Sequence, residues 1–213
     1  MTICHERKLI FIHIPKNAGT SVIKAMVPKA GERLKPGQVD NVFFDKPIEE
    51  YKKHYQDYWN EYKKFTVVRD PIDRFISAYK YARMEESGWF SAKGEGGLDK
   101  HMHYELCNEM DINEYTLYLY KNPNKFTRWN IPQTFAITDD NYEMEIDFFL
   151  RFENLHEDLK KIGIENIQKL NSSKIENDKV IQLTKKSKMI LYEVYDIDYK
   201  NFNYKKEPIY NYS

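Results

Sequence analysis

Residues 9–14 read LIFIHI, a run of strand length with no charge in it. Such a run does not alternate in the way a half-exposed strand must, so it suits a strand buried on both faces, as in a parallel sheet. PKNAGTS (15–21) follows at once, and the next stretch, SVIKAMV, can begin a helix with Thr20 or Ser21 as its cap. A buried strand that turns sharply into a helix presents backbone N–H groups, a positive helix end, a Lys and two hydroxyls at one place. Those are the parts of an anion site. An ordinary strand–helix turn has the same outline, and the loop alone does not choose between the two.

The pattern recurs downstream. FTVV (65–68) is a second short apolar run, and RDPIDRFISAYKYARM follows it, with Asp70 suited to an N-cap and Pro71 to a first helical turn. Ile72, Phe75, Ile76, Tyr79 and Ala82 then form one apolar stripe at helical spacing. IDFFLRF (146–152) predicts a third strand, and NLHEDLKKIG a helix that ends at Gly163. Helices are also predicted over 47–64, over 111–120 with Asp111 as cap, and from Asp178 to about Tyr195. Strands alternating with helices define an α/β fold with a parallel sheet, whose ligands sit beyond the carboxyl ends of the strands. Lys16 and Arg69 would both open onto that edge.

Composition narrows the partners. Lys plus Arg and Asp plus Glu each total 33, so the net charge is zero. A broad basic surface for nucleic acid is not expected, and an anion site should be local. The 213 residues fit one domain spanning 1–213, with room for a small helical subdomain, and Gly-rich 88–100 predicts a mobile loop. Cys4 and Cys107 lack CxxC spacing, which favours free thiols in a reducing compartment. No apolar run approaches the length of a transmembrane helix, and MTICHERK lacks a signal-peptide core, so a soluble, cytoplasmic chain is expected.

The first loop is not a triphosphate loop. GxxxxGK[ST] needs Lys directly after its second Gly. Aligning Gly19 there puts Thr20 at the Lys and Ile14 at the first Gly, while Lys16 precedes Gly19 by three residues. No apolar strand ends in the acidic residue that would hold a metal.

IFIHIPKNAGTS followed by FTVVRDPIDRFISAY resembles the two nucleotide loops of sulfotransferases that use 3'-phosphoadenosine-5'-phosphosulfate, in the form of the carbohydrate 2-O-sulfotransferase-like family. RFENL (151–155) and LNSSK (170–174) are similar to later family segments, so the resemblance runs from residue 9 to about 199. It implies a P-loop-NTPase-like three-layer α/β fold, a central parallel sheet flanked by helices. It also implies sulfuryl transfer to a hydroxyl of a carbohydrate or glycoconjugate, with no metal required. On the matching positions, Lys16, Asn17, Ala18, Gly19, Thr20 and Ser21 would hold the 5'-phosphosulfate. Arg69 and Ser77 would hold the 3'-phosphate, with Ser173 and Lys174 closing over that side. Lys16 would stabilise the leaving phosphate oxygen, a form of electrostatic catalysis suited to a group less charged than phosphoryl.

The acceptor's proton needs a base. The family commonly has a His upstream of the second loop, where this chain reads NVFFDKP (41–47) without one. Asp45 falls at that place and His54 lies nearby, with Glu49 and Glu50 as further carboxylates; His13 reads as a packing or loop-orienting residue. The missing His leaves an alternative, a nucleotide-binding module of the same fold without catalysis. RWNIPQTFAI (128–137) lies where the family often has an acceptor segment, which makes Arg128 and Gln133 candidates for substrate contact. His101, His103 and Cys107 lack an obvious fourth metal ligand, and core packing is the expected use of most Trp and Tyr residues.

Overall fold

A computed structural model describes residues 2–26, 47–85, 100–164 and 181–208. In chain order they form β1 (Ile3–Cys4), β2 (Leu9–Ile12), α1 (Gly19–Met26), α2 (Ile48–His54), α3 (Gln56–Trp59), β3 (Lys63–Val68) and α4 (Pro71–Ala82). Then come α5 (Tyr104–Glu109), α6 (Ile112–Lys121), β4 (Phe148–Arg151), α7 (Leu155–Lys161), α8 (Lys185–Val194) and α9 (Asp196–Asn201). The architecture is mixed α/β, with a central, mostly parallel four-stranded sheet flanked by helices. Two compact units emerge, one of Met1–Asp70 with Pro132–Ser172, the other of Pro71–Ile131 with Ser173–Ser213.

The first unit contains the sheet, in the order β1-β2-β3-β4. β2 pairs in parallel with β3, and β3 with β4. All four β2 residues are buried, as a strand covered on both faces requires. Phe11, Phe65 and Phe148 stand opposite one another in register and form an aromatic row with centroids 5.2 and 5.6 Å apart. Val22, Ile23 and Met26 of α1 and Leu159 of α7 pack against the same face. Each aromatic contact adds about 0.5–1.5 kcal/mol to the burial.

Local sequence chemistry shapes the departures from expectation. A two-residue strand, β1, precedes the run and pairs antiparallel, through a turn with Lys8 at φ 51°. The helix predicted over 47–64 is two pieces, because Tyr55 leaves helical geometry (φ −102°, ψ 26°); its hydroxyl bonds Thr2 Oγ1 at 2.6 Å. Lys63 and Lys64 join β3 rather than a helix, pairing with Leu9 and Ile10.

The second unit is helical. Phe75, Tyr79 and Ala82 of α4 enter its core, with Ile72 and Ile76 packed at the margin, as the stripe predicts. Tyr115 of α6 and Tyr192, Tyr195 and Tyr199 complete an unusually phenolic core. Asp111 caps α6 by accepting from the Asn113 and Glu114 amides, and Glu114 returns a bond to the Asp111 amide. α8 begins at Lys185 rather than Asp178, with Thr184 as cap; 181–184 are not helical.

Candidate active site

The exits of β2, β3 and β4 gather at one edge of the first unit, the carboxyl edge of the parallel strands. At the β2 exit, Lys16 (φ 71°) and Ala18 (φ 61°) both adopt the left-handed backbone. Neither is a glycine, so each costs about 1–2 kcal/mol. Left-handed residues interleaved with an ordinary one turn successive N–H groups toward a common concavity, the geometry that receives an anion. Helix α1 starts directly behind, with no acidic residue in its first turn to compete for a bound anion. Its start is pinned by the Ala18 carbonyl, which accepts from the Ser21 and Val22 amides at 2.9 and 3.1 Å. Thr20 and Ser21 therefore lie inside the first turn and are not its cap. Thr20 is half-buried and Ser21 buried.

Gly19 is required by a neighbour rather than by its own φ. A Cβ there would stand 1.8 Å from Cδ2 and 2.0 Å from Nε2 of His13. The His13 ring, 9% exposed, covers the helix start, and its backbone N–H donates to the Tyr51 hydroxyl at 3.2 Å. His13 is thus the packing and loop-orienting residue that its place in HIPK suggests.

A buried amide network joins this loop to the next one. Asn17 Nδ2 donates to the Val67 carbonyl and to Gln133 Oε1, both at 2.7 Å. Gln133 Oε1 also accepts from the Arg69 amide at 3.0 Å, while its Nε2 donates to the Arg69 carbonyl at 2.9 Å. The Arg69 guanidinium lies 4.2 Å from the centroid of the Phe152 ring, a residue at the β4 exit, and Nη1 reaches the Lys16 carbonyl at 3.4 Å. Beside it the Asp70 amide donates to Glu153 Oε1 at 2.9 Å. Arg69 is only half-buried, so its fork is oriented by its neighbours without being sealed off.

Gln133 is 0% exposed, and both ends of its amide are engaged within the protein. That placement does not fit acceptor contact; it fits a brace, and sequence reasoning found the residue but not the use. Arg128 is exposed, its guanidinium 4.3 Å from the centroid of the Trp129 ring. Ser77 is half-buried on α4 of the second unit. His54 is exposed at the end of α2, edge-on to Tyr55. Asp45, Ser173, Lys174 and the predicted loop, apart from Lys100, lie outside the described residues. Asn17, a short amide between two left-handed positions, is well placed to bond backbone.

His101, His103 and Cys107 serve the second unit's interior. His103 Nδ1 meets the Tyr115 hydroxyl at 2.7 Å, and burial lowers its pKa from 6.5, with Lys125 adding to the effect. Burial pushes the Cys107 thiol up to about 12, and both cysteines are free. No cluster of three or more metal-ligating side chains occurs among the described residues. Nor is any described helix long and apolar enough to cross a membrane.

Fold and site together define an α/β protein whose strand–loop–helix exits share the backbone geometry of an anion site. The model of the Sulfotransferase family matches residues 1–205, and the chain belongs to that family. Sulfuryl transfer in general, as a transferase, follows from this membership. No curated protein and no solved structure gives a significant match.

Proposed function

We propose that the chain transfers the sulfuryl group of 3'-phosphoadenosine-5'-phosphosulfate to a hydroxyl of a carbohydrate or glycoconjugate, after the manner of the 2-O-sulfotransferase-like proteins. The observation that carries the reading is the junction of two exits: a left-handed, helix-backed loop bearing Lys16, tied to an oriented Arg69. In this reading the N–H groups of 17–19 and the Thr20 and Ser21 hydroxyls receive the 5'-phosphate. The Lys16 ammonium neutralises charge that grows on the bridging oxygen as sulfuryl leaves. Arg69 grips the 3'-phosphate, where a planar fork offers two parallel donors; the family resemblance adds Ser77, Ser173 and Lys174 as candidate ligands of that phosphate. Asp45 is the candidate base, with His54 behind it. The reaction leaves adenosine-3',5'-bisphosphate, and the acceptor proton passes to the base.

Two measurements test it. Calorimetry should show that adenosine-3',5'-bisphosphate binds and that Arg69→Ala weakens it; no affinity in the unaltered protein would sink the reading. A radiolabelled sulfate-transfer assay over a saccharide panel, run with Asp45→Asn and His54→Ala, separates an enzyme from a silent nucleotide-binding module. The absence of the customary His in 41–47 is what keeps that module as a second reading.

A further inference from the structure

We propose that Gln133 is a positioning residue that couples the grip on the two ends of the nucleotide. The inference rests on the donor assignment above, in particular on Arg69 as the 3'-phosphate ligand. Gln133 sits in a short 3-10 turn, Gln133–Ala136, and lies 116 residues from Asn17 and 64 from Arg69. Its side chain nonetheless bonds both loops and does so with three hydrogen bonds.

The orientation of the amide is fixed by chemistry. A backbone carbonyl can only accept, so the atom facing the Arg69 oxygen must be Nε2. The other atom must then be the oxygen that receives the Arg69 and Asn17 N–H groups. Asn17 is fixed in turn, because its Nδ2 faces two acceptors, the Val67 carbonyl and Gln133 Oε1. One fully buried amide thereby sets the backbone of Arg69 relative to the middle of the first loop. The separation of the 3'- and 5'-phosphates on the nucleotide is fixed by covalent structure. A brace that fixes the separation of their two cradles lets both be filled without strain.

The consequence can be read without any turnover. The affinity ratio of adenosine-3',5'-bisphosphate to adenosine-5'-monophosphate reports how much the 3'-phosphate contributes. Loss of the brace should lower that ratio while leaving monophosphate binding at the first loop less affected. Gln133→Leu keeps volume and removes the bonds to Asn17 and Arg69; calorimetry should show the ratio falling by about tenfold, the equivalent of about 1.4 kcal/mol. Gln133→Glu keeps an acceptor toward Asn17 and the Arg69 amide and sets a second oxygen against the Arg69 carbonyl. A neutral carboxyl there can donate again, and burial raises its pKa. The Gln133→Glu ratio, taken relative to the unaltered protein at each pH, should therefore be low near pH 8 and recover toward about pH 5.5. A purely structural role would lower the unfolding midpoint and leave the ratio and its pH dependence alone. Variants that fold and keep the full ratio overturn the inference and spare the donor assignment. Failure of both variants to fold also overturns it, since the side chain would then serve folding. An unaltered protein with no preference for the bisphosphate overturns the donor assignment, and this inference with it.

Discussion

Both units bury polar networks, but they spend them differently. In the first, the amides of Asn17 and Gln133 bond mainly to backbone at strand exits, beside two residues held in left-handed geometry. In the second, side chains fill the interior: Tyr115 takes a bond from Asn130 Nδ2 at 2.9 Å and meets His103, while the Tyr195 hydroxyl donates to the Asn130 carbonyl. Arg74, 1% exposed, donates to the Ile131 and Arg128 carbonyls at 2.7 and 3.1 Å. The first arrangement stores strain at an edge that remains partly open, and the second pairs Tyr115, Tyr195, Asn130 and Arg74 within the protein. Strain at an open edge is a mark of function; satisfaction in a closed core is a mark of stability.

If that contrast is right, changes at the edge should alter chemistry and changes in the phenolic core should alter stability. The largest expected effect is on turnover: Lys16→Ala should lower kcat about 10²–10³-fold in the sulfate-transfer assay, with little change in the urea midpoint. Arg74→Ala should do the reverse, costing about 3 kcal/mol in urea unfolding by stranding two buried carbonyls. Tyr115→Phe removes a hydroxyl that partners Asn130 and His103 and should cost about 2 kcal/mol by the same measurement. Asp111→Ala, at the exposed capping box, should cost about 1 kcal/mol.

The smallest effect is a pH dependence. The folded His103 binds a proton less readily than the unfolded chain, whose value is near 6.5. The unfolded state therefore takes up more protons as pH drops below that value, and stability present above it is lost as pH falls through the lower, folded pKa. Urea midpoints measured downward from pH 7 should decline, and His103→Gln should flatten the decline. A His103 variant with an unchanged pH profile would break the assignment of this residue to the closed core.

What could be read from the sequence was local. The strand–loop–helix exits at Lys16 and Arg69, the α4 stripe and the Asp111 cap each depend on residues within a few positions, and each is found in the structure. The break at Tyr55 could not be read that way, because the apolar spacing continues through it and the partner of its hydroxyl, Thr2, lies 53 residues away. The start of α8 was hidden for a similar reason. The Asn113 side chain donates to the Gln182 carbonyl and accepts from the Thr184 amide, holding that stretch out of helix. Gln133 shows the limit most sharply. Its residue type and neighbourhood marked it as polar and candidate, but only the fold reveals that it faces inward to Asn17 and Arg69.

The contact between His13 and Gly19 carries a consequence for how this chain can change. Alanine at 19 would by itself favour the helix by about 1 kcal/mol, yet the imidazole occupies the space its methyl group needs. The two positions are therefore a lock and its notch: position 19 cannot take a side chain while the ring at 13 stays. His13→Ala should admit Ala at 19, and the paired change should be tolerated better than Gly19→Ala alone. Across evolutionary time, drift at the helix start would have to pass through the strand first, so a ring at the end of β2 acts as gatekeeper for a glycine in the loop.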